Sequence, residues 1–396
     1  MREKIFNSNF IRISIASILL QSGNQIIMVV LPLFLQALGC VPSVLGIATS
    51  LSALAAMISR PISGFIADKK SRKLVMILGL SIMIVGMIGF NVFPFAVAII
   101  LIRFVQGFGI SAATTAQMAI ATDVLPVSKT QKGLSYFGMC TTLAGAFGPA
   151  LGLSLISGSN YFPAWFGGAV VFVLALMIIS TFTYEKSIIK EVPSNYPKME
   201  SISFWRYFER DAILPSLVQM VLMIANSGAI VFLPTYATEI GIQDIGLFYT
   251  LQACSMLVAN IIVGNLIDRV RNPNFFLLPA IVCFGGSLFT LFINTGTILF
   301  YMAAVLYGIG LGISTLTISV ITMYSAVLER RGAASATYQC AGDTGYCLGS
   351  LIWGVVAGVL GYRSLYGILF LLSVFAAVMS IFIFGLKKRP EKKDPD

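Results

Sequence analysis

Twelve separated apolar runs, each long enough to cross a bilayer, constrain this chain more than any other feature. A spanning helix needs about 20 apolar residues to cross ~30 Å of hydrocarbon. Such runs lie at about 10–37, 44–67, 74–93, 96–121, 133–157, 164–183, 212–238, 245–267, 275–294, 297–325, 335–360 and 364–385. The two longest, 10–37 and 297–325, must tilt or protrude. Two or three water-soluble domains are excluded by composition. With 57% of residues hydrophobic and 11% charged, there are too few charges to cover soluble surfaces. The first run is too long for a signal-peptide core and lacks an obvious cleavage site, so it is expected to be a retained span.

The basic residues set an orientation. With the N-terminus inside, 23 of the 26 Lys and Arg fall in cytoplasmic segments; the others are Arg60 late in span 2, Arg103 within span 4 and Arg363 in the last outer loop. The positive-inside rule then predicts that both termini are cytoplasmic. The same distribution accounts for the net charge of +10 through anionic lipid, with no nucleic-acid partner.

A repeat near offset 200 divides the chain. Asn24 with Leu31-Pro32-Leu33-Phe34 and Gly39 matches Asn226 with Leu233-Pro234-Thr235-Tyr236 and Gly241 at offset 202. Gly64-x-x-x-Asp68-Lys69 matches Gly264-x-x-x-Asp268-Arg269 at 200, and Gly107-Phe-Gly109-Ile-Ser111 is paired with Gly310-Leu-Gly312-Ile-Ser314 at 203. The predicted organisation is a six-helix bundle at 1–183, a cytoplasmic linker at 184–211, a second bundle at 212–386 and a basic tail at 387–396. This is an all-α membrane protein of two pseudo-symmetric halves, with a substrate cavity expected between them near the midplane.

Gly64-x-x-x-Asp68-Lys69-x-x-Arg72-Lys73 resembles the loop signature between spans 2 and 3 of the major facilitator superfamily, with Ser71 where glycine is usual. Arg103-x-x-Gln106-Gly107-x-Gly109 resembles the span-4 motif. Gly148-Pro149-x-x-Gly152 is similar to the span-5 motif of its antiporters, with Ala144 and Leu153 departing from the pattern. Arg60-Pro61 and Gly342-Asp343-Thr344-Gly345 resemble the sugar- and drug-efflux branch. The resemblance implies a major facilitator fold, a monomer, and a cytoplasmic latch that closes in the outward-facing state. Gly64, Asp68 and Arg72 would form that latch, with Asp123 a second partner for Arg72 and Asp268 with Arg269 a weaker copy. By removing a backbone donor and allowing close approach, Gly148, Pro149 and Gly152 are expected to bend span 5; packing against span 8 is the alternative.

Besides Arg60 near the end of span 2, two charges lie deeper inside spans and need partners. Arg103 either faces protein or water in a cavity or proton-coupling role, or snorkels to the outer surface. Asp343 is the one acid well inside a span, and it can exchange a proton or bind substrate, cap a helix break, or pair permanently with a neighbour. No acid stands in spans 1 or 7, where several resembling drug exporters carry one. Gln21, Asn24 and Gln25 share a face of span 1, and Gln219 and Asn226 share a face of span 7. With Gln106, Gln252, Tyr307, Tyr338 and Gln339 they are the candidate cavity residues; interhelical packing bonds are the alternative for each. Such a lining suits a neutral, cationic or amphipathic small molecule, while Arg103 would tolerate one acidic group.

With no histidine and no close cysteine pair, neither an enzyme's clustered base and nucleophile nor a metal site is expected, and no cofactor is called for. The predicted function is secondary transport by alternating access, most simply export of a small organic compound (drug, sugar or metallophore-like metabolite) coupled to protons. The alternative is a facilitator or importer of a sugar or other solute.

Overall fold

The computed structural model describes residues 6–126, 130–182, 209–242, 244–267, 270, 274–293, 296–325 and 331–385. Most of the expected linker, the tail, Asp268 and Arg269 lie outside the described residues, as does the Asp68 side chain. The helices are α1 (Ser8–Ala37), α2 (Pro42–Lys69), α3 (Arg72–Val92), α4 (Ala96–Asp123), α5 (Thr130–Ser154) and α6 (Phe162–Ser180). After a short turn at Arg210–Ala212 follow α7 (Ile213–Val231), α8 (Leu233–Glu239), α9 (Ile245–Ile267), α10 (Asn274–Ile293), α11 (Thr297–Ser325) and α12 (Arg331–Gly385). Among the described residues ten helices are long and apolar enough to cross a membrane. The 25-residue α5 adds another of spanning length, and α12 holds two.

Local chemistry sets the helix ends. The Asn7 side chain caps α1 by accepting from the Phe10 amide at 2.7 Å, and Ser71 caps α3 by accepting from the Leu74 amide at 3.0 Å. Pro42 opens α2, where its missing N–H costs nothing. Gly39 (φ 72°) and Gly241 (φ 77°) turn the chain after spans 1 and 7 at equivalent positions, in the left-handed conformation that favours glycine.

Two expectations about span ends change. Span 7 is not continuous: it breaks at Phe232 because Pro234, in the first turn of α8, has no N–H to extend the α7 ladder. Spans 11 and 12 are not separated by a loop. They are joined through Gly361 alone (φ 78°, ψ 164°), which reverses direction in one residue. Arg363 then pins span 12 by donating from Nε to the Phe292 carbonyl at 3.0 Å with its guanidinium over that ring.

Helices α1–α6 pack together around Trp165, which meets Phe34 and Phe90. Helices α7–α12 pack around Tyr236, Tyr307, Tyr366, Phe248 and Phe284, and the Tyr236 and Tyr366 hydroxyls donate to the Leu291 and Ala229 carbonyls. Val85, Leu101, Val359 and Phe382 point outward, as lipid-facing side chains do.

The glycines that let helices touch show the repeat at its true register. Gly107 lies against the Ser52 carbonyl of α2, and Gly308 lies in the same way against the Gln252 carbonyl of α9. Gly109 sits over Gly79 of α3, and Gly310 over Ala280 and Phe284 of α10. The span-4 and span-10 motifs therefore match at offset 201, two residues from the pairing expected from the shared Gly-x-Gly-Ile-Ser pattern.

Candidate functional site

Helix α5 runs unbroken through Pro149. The two glycines of the motif pack on α1 rather than on span 8 (α9): a Cβ on Gly148 would meet the Ser22 carbonyl oxygen at 2.7 Å, and one on Gly152 would meet Ile26 Cα at 3.3 Å. In the second half Gly349 lies against Ile224 and Ser227 of α7, the equivalent contact. The face of α5 that meets α9 is instead Gly145 and Ala150, opposite Ala253 and Gly246.

The halves meet along two seams, α5 with α9 and α2 with α12. The second starts at the end of the bundle that carries residues 38–41, here called the far end. There Gly46 and Gly354 cross so closely that a Cβ on Gly46 would meet the Ser350 carbonyl oxygen at 2.6 Å. Ser50 Oγ donates to the Cys347 carbonyl at 2.7 Å and shares a bond with Ser350 at 2.8 Å, while the Cys347 thiol donates to the Ser50 carbonyl at 3.4 Å. Farther down, Thr344 Oγ1 reaches Met57 Sδ at 3.5 Å.

This seam reaches an ion pair at Arg60, about 27 Å along α2 from Pro42. Arg60 Nε meets Asp343 Oδ2 at 2.6 Å, Nη2 donates to Oδ1 at 3.2 Å, and Nη1 reaches Gln339 Oε1 at 3.5 Å. The side chains are 33% and 25% exposed, so the pair is partly screened yet reachable by water. Of the alternatives open for Asp343, the structure places it in a pair, and its partner comes from the other half. Arg60 was not singled out as a site residue; its signal was a second intramembrane arginine beside a single intramembrane acid.

Between α1, α5, α7 and α9 lies a cavity of about 300 Å³ lined by Gln21, Gln25, Thr142, Tyr249, Gln252 and Met256, with Gly145, Ala253 and Ile230 completing it. Gln21, Gln25 and Gln252 are thus the candidates found on its wall. Tyr249 and Gln252 each keep a buried polar atom, Oη and Oε1, without a protein partner. Thr142, Tyr249 and Met256 escaped sequence reasoning because nothing marks them apart within apolar segments.

Most other candidates lie inside one half. Gln106 is fully buried against Gly86 of α3 and accepts from Arg103 at 3.3 Å. Tyr307 donates to Asn226, joining α11 to α7, and Tyr338 donates to the Thr315 carbonyl at 3.1 Å. Gln219 is buried beside Gly342, and Asn24 is half-buried on α1. Gln339 extends the Arg60 cluster. Arg103 is 5% exposed, so it does not snorkel. At the opposite end of the bundle, the basic end, Arg72 forms an ion pair with Asp123 and Gly64 is half-buried.

A membrane bundle of two similar halves, with a polar cavity and titratable contacts between them, defines a solute transporter. The chain belongs to the Major Facilitator Superfamily, whose family profile matches residues 13–349 and 215–396. It is similar to the staphylopine export protein of Staphylococcus aureus, with 24% identity over 94% of this chain and 95% of that one. It is also 26% identical to the quinolone resistance protein NorA of S. aureus over 52% of each chain. Among solved structures, the nucleoside transporter NupG superposes with a TM-score of 0.75 at 14% identity, covering 96% of this chain and all of that one. A bacterial homolog of the lysosomal transporter Spinster gives 0.72 at 15%, covering 95% and 96%. The chain is a multi-pass membrane transporter of small molecules, not an enzyme.

Proposed function

We propose that this protein exports a small organic compound in exchange for protons, with Asp343 as the proton-binding carboxylate and Arg60 as its counter-charge. One observation carries the reading: the acid inside the spans is bound across the seam between the halves. A proton on Asp343 removes its charge and with it the ion pair, so protonation and the rocking of the halves act on the same contact. The cavity holds the compound while the seams alternate. The basic end is taken as cytoplasmic, from the distribution of Lys and Arg, and the Arg72–Asp123 pair would belong to the cytoplasmic latch together with Gly64 and Asp68.

Export is favoured by the efflux relatives, of which the staphylopine exporter aligns along nearly the whole chain. The second reading, a facilitator or importer without proton exchange, is favoured by the absence of acids from spans 1 and 7 and fits the fold neighbour NupG. Proteoliposomes with a trapped pH indicator separate the two. Substrate-triggered proton movement in wild type that is lost in Asp343→Asn supports the exchanger. A compound that crosses with no proton flux in either protein overturns it in favour of the facilitator.

A further inference from the structure

The cavity between the halves is polar without being charged. Each helix around it turns one strip of side chains inward. Gln21 and Gln25 are one turn apart on α1, and Tyr249, Gln252 and Met256 follow one another at intervals of three and four on α9. Thr142 adds a hydroxyl from α5, so α1 and α5 serve the cavity from the first half and α9 from the second. Among the described residues its wall carries amides, a phenol and a hydroxyl, and no Asp, Glu, Lys or Arg. The charges deeper inside the spans stand off this wall: Asp343 pairs with Arg60, and Arg103 donates to Gln106 on its own helix.

Two atoms of the wall call for a ligand. Tyr249 is 5% exposed and its hydroxyl has no protein partner, and Gln252 Oε1 is likewise buried and unpartnered. Leaving a buried polar atom unpaired is costly, so each such atom needs an explanation. An amide oxygen only accepts, whereas a phenol both donates and accepts, so the missing groups are O–H or N–H donors with an acceptor beside them. A charged ligand would shed its hydration here without meeting an opposite charge. Ile230 and Met256 offer apolar surface to the rest of a bound molecule, and the volume of about 300 Å³ suits a small one.

We propose that the transported compound is uncharged, with hydroxyl or amide groups on a partly apolar body, and that Tyr249 and Gln252 select it through their unpaired hydrogen-bonding atoms. The inference rests on the transporter reading and adds the substrate class. A compound held by α1 and α5 on one side and by α9 on the other bridges the halves, so its arrival favours their closure around it.

The test compares phenyl glucoside with two analogues alike in shape: phenyl glucuronide, with a carboxylate in place of the primary alcohol, and the corresponding primary amine, with an ammonium there. Each is titrated calorimetrically at neutral pH into full-length protein in lipid nanodiscs. Wild type is expected to bind the glucoside at least about tenfold tighter than either charged analogue. Tyr249→Phe, which keeps the ring, weakens the glucoside several-fold. Gln252→Glu, which keeps the size and adds a carboxylate, reverses the order in favour of the amine, and that gain also shows the variant to be folded. Three results overturn the assignment: a charged analogue bound by wild type as tightly as the glucoside, wild-type affinities and order in both variants, or no binding of any of the three at about 10 mM, as when water alone serves the two atoms. Binding is read without a pH gradient, so its failure leaves the role of Asp343 standing, and a failure of proton exchange leaves the selectivity of the cavity standing.

Discussion

Asp343 meets its partner 283 positions away in sequence, so the ion pair crosses from one half of the bundle to the other. Exposed ion pairs contribute about 0–1 kcal/mol, while breaking a buried one costs about 3–5 kcal/mol. A pair one quarter to one third exposed lies between, so removing Arg60 should cost about 1–3 kcal/mol of inter-half contact. Arg60→Met is expected to lower the Tm modestly and to abolish substrate-driven proton movement; a variant with normal exchange would show the pair to be structural only. A different residue carries the far-end closure. Gly46→Leu must push against the Ser350 backbone, so it should hold that end open and make Cys347 reactive to a membrane-impermeant maleimide added from the far side. Labelling no faster than in wild type would contradict the tight crossing.

At the scale of elements, the helices follow from the sequence because span length, helix caps and turn glycines are local properties. Apolar runs near 20 residues, Asn7 and Ser71 at helix starts, and the equivalent Gly39 and Gly241 all act within a few residues of themselves. The exceptions are also local in cause: Pro234 splits span 7, and Gly361 reduces the last loop to a single residue. What spacing alone misplaced was helix-to-helix register. Gly-x-Gly recurs as Gly308-x-Gly310-x-Gly312, the Ile-Ser that follows Gly312 favours the later pair, and the contact with Ser52 or Gln252 decides for the earlier one. That contact makes a prediction. Gly107→Ala and Gly308→Ala should each destabilise by about 1–3 kcal/mol through overpacking against a neighbouring backbone. Gly264→Ala, at a position with open space around it, should be nearly neutral. Thermal unfolding in detergent compares all three, and equal effects would contradict the assigned packing.

For the whole molecule, the two-fold repeat and a cavity between halves were legible, whereas the identity of the residues facing that cavity largely was not. Helical spacing tells which polar residues share a face, but a face toward a sister helix and a face toward the cavity read alike. Gln21, Gln25 and Gln252 thus line the space, while Gln106, Asn226, Tyr307 and Tyr338 bond within their own halves. The pairing of Arg60 with Asp343 stayed hidden for a related reason: no local pattern couples α2 to α12. On the proposed reading, the pair those helices form would make the two halves one proton-sensitive unit, and this is the claim most worth testing. The direct measurement is an inter-half distance, from labels at the basic ends of α2 and α12, followed as pH is lowered in wild type and Asp343→Asn. In wild type the distance distribution is expected to shift on acidification, as protonation releases Arg60. In Asp343→Asn it should hold one distribution at every pH. An identical pH response in both proteins would contradict the coupling of proton binding to the movement of the halves.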